Sequence, residues 1–173
     1  HPIFVASVTN PLPKMDGQVQ TYRNAWESSS HADKTTVHPH YSDQDVSTMF
    51  FVHPGESLGR VQEAIEPSIR NYFQSVLGMM TSGASKQEDG ASYQYTAEIR
   101  KNLESITFQK VNETMAVFGS SEDCIERIRE LHSRLKMNEL ICWFNPGGLV
   151  AHADVQAAMS RFAEEVIPAV RDL

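Results

Sequence analysis

Long apolar runs are missing from this 173-residue chain, and none approaches the roughly 20 residues that a membrane-spanning helix needs. A surplus of basic residues is missing as well. The net charge is -7 and the pI is near 5.4, so sequence-independent binding to nucleic acid has no electrostatic support. We therefore expect neither a membrane nor a nucleic-acid partner.

Cysteine is scarce, and the composition lacks the disulfide framework of small secreted proteins. The two cysteines, Cys124 and Cys142, fall on a predicted helix face and a predicted strand, so we expect reduced core thiols. Nothing at the N-terminus resembles a signal peptide, which favours a cytoplasmic location. The chain also lacks an initiating Met and opens on an apolar run, His1 to Ala6, which favours the later portion of a longer protein.

Internal repeats and interdomain linkers are absent, and the length suits one domain with a sizeable core, residues 1–173. Two polar stretches without periodicity predict loops. One runs from His31 to Asp45, and the other, rich in small residues, runs from Thr81 to Tyr95 and is predicted to be mobile.

The last third of the chain contains two strand-then-helix units. The apolar run Met115–Phe118 predicts a strand, and Ser120 with Asp123 predicts a capping box that opens a helix. Leu140–Phe144 is apolar without alternation, which predicts a strand covered on both sides. A final helix follows, and Pro168 is expected to bend it or end it early.

The earlier part of the chain supplies two more strands and three helices. The strands are predicted at 3–8 and 46–52, and the helices at 14–28, 57–80 and 96–110. Strands alternating with helices predict an α/β fold with a parallel sheet. A closed (β/α)8 TIM-type barrel has eight strands, so four strands amount to half a barrel, with two open edges and one uncovered apolar face.

Catalytic and metal-binding patterns are weak. His38 and His40, taken with His31 or His53, match no standard zinc spacing, so we expect no metal. No Ser-His-Asp set can be assembled, and the pair Gly147–Gly148 lacks a dinucleotide-binding fingerprint. The residues by themselves therefore leave the catalytic groups unassigned.

Several stretches together resemble the C-terminal half of the luciferase-like flavin-dependent monooxygenases, the family of bacterial luciferase. Those of the last third are VFGSSEDCI at 117–125, ELICWF at 139–144 and MSRFAEEVIP at 159–168. They look like the seventh and eighth strands of that family with their helices. Two earlier stretches, PIFVA at 2–6 and TMFFV at 48–52, look like its fifth and sixth strands.

The resemblance implies a partial (β/α)8 barrel whose site lies at the carboxyl ends of the strands. It implies reduced FMN as cofactor, O2 and a small organic molecule as substrates, a flavin reductase as a candidate partner, and a homo- or hetero-dimer. The implied cofactor-binding residues are Ser7, Thr9 and Asn10 at the end of the first strand, and Trp143 and Asn145 at the end of the last. The stretch 81–95 matches the position of the mobile active-site loop of that family.

Plainer interpretations stay open for each of these residues. Ser7, Thr9 and Asn145 are also ordinary turn residues, and Trp143 is also an ordinary core residue. For the whole chain, the alternative to a monooxygenase is a catalytically inert, truncated module that binds flavin or pairs with a partner. The histidine that the family uses near the reactive flavin position has no counterpart here, and the substrate cannot be identified from the sequence.

Overall fold

The computed structural model describes residues 2–8, 10–28, 45–83, 100–101 and 103–173. The strands are β1 (Ile3–Ala6), β2 (Val46–Pro54), β3 (Ala116–Gly119) and β4 (Glu139–Trp143). The helices are α1 (Leu12–Ser28), α2 (Leu58–Gly83), α3 (Phe108–Met115), α4 (Ser121–Leu135), α5 (His152–Arg161) and α6 (Ile167–Val170), with a π-helix (Phe162–Val166) between α5 and α6. In the described part of the chain, no helix is long and apolar enough to cross a membrane.

The four strands form one parallel sheet, which confirms the predicted α/β class. Strand β2 pairs in parallel with each of the other three. Residues Ser47–Met49 pair with both β1 and β4, and Phe51 pairs with both β3 and β4. It follows that β1 and β3 lie end to end along one edge of β2, with β4 along the other. A barrel of consecutive strands would pair β3 with β4, so this sheet departs from that order.

Helices cover both faces of the sheet. One face of β2, which carries Val46, Phe50 and Val52, packs against apolar residues of α1, α4 and the π-helix. The opposite face carries Phe51 and packs against α2 and α3. The expectation of an uncovered apolar face is therefore wrong. Because four strands do not close on themselves, the face that a barrel would turn inward is buried by helices instead.

The sheet edges remain open among the described residues. Strand β4 has β2 as its one neighbour, and its side chains are exposed or half-buried. Ile141 on β4 is 40% exposed and Phe4 on β1 is 56% exposed. Leu140 and Cys142 pack against one core cluster and Trp143 against the other, so both faces of β4 are partly covered. The position of β4 at an edge was not predicted, because the continuous apolar run carries no information about edge position.

Two helix boundaries differ from the prediction. Helix α2 continues to Gly83, past the predicted loop start at Thr81; the remainder of that loop and the whole stretch 31–44 lie outside the described residues. The predicted helix over 96–110 is interrupted before Phe108, where Thr107 adopts an extended conformation and its side chain caps α3 by accepting from the Lys110 backbone N–H. A capping residue inside an apolar periodicity thus starts a new helix.

Of the two signals predicted in the C-terminal helices, one is confirmed. The capping box of Ser120 and Asp123 is present at the start of α4. The final helix does not end at Pro168. The wider π-turn of Phe162–Val166 leads into α6, which has this proline in its first turn. Because proline cannot donate to the preceding turn and crowds its carbonyl, a local π-turn is one way to continue the helix.

Candidate functional site

The carboxyl end of the sheet is where an α/β protein assembles its site, since the loops that follow parallel strands meet there. In this chain β2 ends at Pro54, β3 at Gly119 and β4 at Trp143. All of the residues predicted to bind a cofactor lie at or just after strand ends. Whether each of them can bind a ligand depends on the hydrogen bonds and contacts that it already makes within the protein.

At the end of β1, Ser7 and Asn10 are held by the protein itself. Ser7 is fully buried and its hydroxyl donates to the Met115 carbonyl at 3.1 Å. The Asn10 side-chain amide donates to the Ala6 carbonyl at 3.3 Å. Thr9 lies outside the described residues. The hydrogen of the Ser7 hydroxyl is therefore engaged, and phosphate binding by that hydroxyl would require the bond to Met115 to break.

At the end of β4, Trp143 belongs to a cluster of aromatic side chains between the sheet and α2. Its ring meets Phe51 edge-on at 5.5 Å and Tyr72 at 5.1 Å between centroids. Trp143 is half-buried. The edge-to-face contacts explain its position through packing alone.

The turn after β4 is anchored on α2. The Asn145 side-chain oxygen accepts from the Val150 backbone N–H and from the Ser68 hydroxyl, which lies 3.3 Å away. Gly147 approaches α2 so closely that a Cβ atom there would lie 1.9 Å from the Ser68 carbonyl oxygen. Asn71 donates to the Gly147 carbonyl at 2.9 Å. Asn145 thus fixes a turn, which is the plainer of its two interpretations.

The predicted residues that the structure describes do not form one pocket. Ser7 and Asn10 follow β1 on one edge of β2, whereas Trp143 and Asn145 follow β4 on the other edge. The central strand lies between the two groups. Any ligand that contacts both groups must therefore reach across the end of β2.

A cleft at the end of β2 was missed by the sequence analysis. It has a volume of about 420 Å³ and lies between the end of β2, the start of α2 and one face of α5, a size within the range of small-molecule sites. Its lining includes His53, Arg60, Asp154 and Arg161. The available signal was His53 itself, a histidine that directly follows the apolar run of β2.

His53 is buried and its ring is neutral at physiological pH. It is 5% exposed, and among the described residues its Nδ1 atom has no hydrogen-bond partner. Burial lowers the pKa of His53 below its ordinary value of 6.5, while a hydrogen bond with the Phe144 backbone and the nearby Asp154 carboxylate act in the opposite direction. In a neutral imidazole one nitrogen donates and the other accepts, so the unpartnered nitrogen can accept a hydrogen bond.

The thiols and the acidic groups offer no further chemistry at this end of the sheet. Burial raises the pKa of the Cys124 thiol to about 12 and of the Cys142 thiol to about 11, so both are protonated and poor nucleophiles. Cys124 is buried as predicted and Cys142 is partly exposed. In the described ranges, no group of three or more His, Cys, Asp or Glu residues is arranged to hold a metal ion.

Comparisons with known proteins bear on the fold. No protein-family model matches the chain, and no curated protein matches it. Solved structures do. A coenzyme F420-dependent tetrahydromethanopterin reductase from Methanopyrus kandleri aligns with 96% of this chain at 17% identity and a TM-score of 0.53. A riboflavin lyase crystallised with modified FMN and its substrate riboflavin aligns with 99% of the chain at 16% identity and a TM-score of 0.54.

These likenesses show an α/β fold shared with the two enzymes and indicate no particular family. At such identities they show the fold alone. The chain spans 44% of the length of the reductase and 38% of the length of the lyase. What either enzyme binds or catalyses therefore enters only as support for a proposal.

Proposed function

We propose that this chain is part of a luciferase-like, FMN-dependent monooxygenase, in which it contributes barrel strands and binds reduced FMN at the carboxyl end of the sheet. The observation that carries the proposal is the fold likeness over nearly the whole chain to two enzymes, one of them a riboflavin lyase solved with modified FMN. The order of the strand-then-helix units agrees with it.

The described residues fit part of a flavin site. Trp143 and Tyr72 offer aromatic surface at the end of β4, and Asn10 offers a polar side chain beyond β1 that already bonds the Ala6 carbonyl. The Ser7 hydroxyl is engaged with Met115, and the two groups of residues are separated by β2. When bound, reduced FMN supplies electrons to O2, and the role of these residues is to hold it and exclude water. We expect binding by the chain alone to be weak.

The test is titration of FMN into the purified chain, followed by flavin fluorescence, together with oxygen consumption in the presence of FMNH2. We expect quenching with an affinity in the micromolar to millimolar range. Asn10→Ala should weaken this binding because the side chain beside the end of β1 is lost. Asn24→Ala removes an exposed amide on α1 that bonds Gln20, and it serves as the control that should bind FMN normally.

The catalytically inert module is the second candidate, and one observation favours it. Of the polar residues predicted to bind the cofactor, those that the structure describes already have protein partners, and no catalytic group is assembled around them. Binding of FMN without oxygen consumption supports this second candidate. Absence of FMN binding at concentrations up to millimolar contradicts the proposed FMN site and the flavin-binding form of the second candidate, and it leaves a module that pairs with a partner.

A further inference from the structure

The cleft at the end of β2 has a regular arrangement of charge along one wall. Helix α5 contributes Asp154, Ala157, Ala158 and Arg161, a spacing of three and four residues that places them on one face of a helix. Asp154 lies near the start of this face and Arg161 at its end. Seven residues of α-helix rise about 10 Å, so a carboxylate and a guanidinium are separated by two turns with small apolar residues between them.

The opposite wall of the cleft also has a small apolar surface between its charged residues. There the start of α2 contributes Val61 and Ala64. Arg60 and Glu63 on the same wall neutralise one another in an ion pair of 2.6 Å, while Glu56 adds a carboxylate at the rim. Arg161 has a much weaker partner in Glu165, at 4.0 Å. The guanidinium of Arg161 and the carboxylate of Asp154 are therefore the charges best placed to meet a ligand.

His53 lies at the Asp154 end of the cleft. It lines the cleft, it is 5% exposed, and the Asp154 carboxylate acts on it electrostatically. Its Nδ1 has no partner among the described residues, and a buried acceptor without a partner costs free energy. A cationic N–H group suits both the neutral imidazole and the carboxylate.

We propose that this cleft binds a linear zwitterion of the ω-amino acid class. Its ammonium group donates to Asp154 and His53, its methylene chain lies between Ala157, Ala158, Val61 and Ala64, and its carboxylate pairs with Arg161. A ligand whose charges lie several bonds apart matches the two-turn separation on α5, and a single-charge ligand leaves one end of the cleft unmatched. The proposal does not require that FMN binds to the chain.

The experiment uses the whole chain and four probes of related structure. Isothermal titration calorimetry with 6-aminohexanoate is compared with hexanoate, hexylamine and glycine, which lack the amine, the carboxylate and the spacer respectively. We expect 6-aminohexanoate to bind at least about tenfold more tightly than each of the others, since a hydrogen bond to a charged group is lost in each case or cannot form.

Variants place the binding in the cleft. Arg161→Gln and Asp154→Asn should each weaken 6-aminohexanoate binding about tenfold. Arg100→Gln is the matched control, because Arg100 also forms an ion pair with a glutamate four residues on but does not line the cleft; it should bind normally. Equal binding of hexanoate, equal binding by the Arg161 and Asp154 variants, or no heat with 6-aminohexanoate would each overturn the proposal. None of these results depends on whether FMN binds.

Discussion

At the scale of single residues, His53 combines burial, a lowered pKa and an unpartnered nitrogen. It directly follows the apolar centre of β2, and its neighbour Pro54 closes the strand. The ring therefore sits at the boundary between the core and the cleft. Because its pKa is lowered in the folded protein, the free energy of unfolding should depend on pH through this residue.

Acid should destabilise the protein through His53. The unfolded histidine takes up a proton as pH falls through about 6.5, whereas the folded residue, with its lowered pKa, stays neutral until a lower pH. The free energy of unfolding should therefore fall with pH in the window between 6.5 and the folded pKa, and this part of the stability is fully present above 6.5. Urea denaturation at about pH 7.5 and about pH 5 measures the change.

Comparison of variants isolates the contribution of this one side chain. His53→Phe keeps a ring of similar size and removes the titrating group, so its stability should depend less on pH over the same window. His152→Gln, at an exposed position on α5, should keep the pH dependence of the native chain. An unchanged pH dependence in His53→Phe would show that the stability does not respond to this residue.

At the scale of elements, local signals predicted the helices and strands well, and tertiary context decided the exceptions. The capping box at Ser120 was read from two residues and is present. The exposure of β4 could not be predicted, because an apolar run such as Leu140–Trp143 looks the same at an edge as in the middle of a sheet. The break before Phe108 depended on one capping residue, Thr107, inside a continuing apolar periodicity.

The candidate site was harder to predict than the elements. The sequence placed Trp143 and Asn145 correctly at a strand end, but their partners Tyr72 and Ser68 lie on α2, far away along the chain. The cleft was missed for the same reason: His53 and Asp154 are about a hundred positions apart, and no spacing rule connects them. Local patterns predict which residues end a strand, whereas pairing between elements depends on the assembled sheet.

The turn after β4 offers a test of how elements are joined. Gly147 and Gly148 both have positive φ angles, +86° and +75°, so alanine at either should cost about 1 kcal/mol from backbone strain. A Cβ at Gly147 would also collide with the Ser68 carbonyl on α2, while one at Gly148 meets nothing within 4 Å. We expect Gly147→Ala to destabilise the fold by about 3 kcal/mol and Gly148→Ala by about 1 kcal/mol in urea denaturation. Equal losses would mean that the turn does not dock on α2 as described.

At the scale of the whole molecule, the faces of the sheet and its edges differ in how well they are covered. Both faces of the sheet are packed by helices, so the apolar surface that four strands expose is buried within the chain. The edges are different. Among the residues that the structure describes, the outer edge of β4 has no neighbouring strand and Ile141 is 40% exposed, and an open edge of this kind favours pairing with another strand.

We propose that the chain self-associates through the outer edge of β4, and we expect the weight-average mass in sedimentation equilibrium to rise above that of a monomer with concentration. Ile141→Lys should shift the equilibrium toward monomer, because a charged side chain on an edge strand opposes strand pairing. Met79→Lys is the control: Met79 is 67% exposed and lies on helix α2, not on a strand, so the same change there should leave the association unaltered. A monomer at every concentration contradicts the proposal. Equal loss of association in both variants would show that general apolar exposure, rather than the strand edge, holds the copies together.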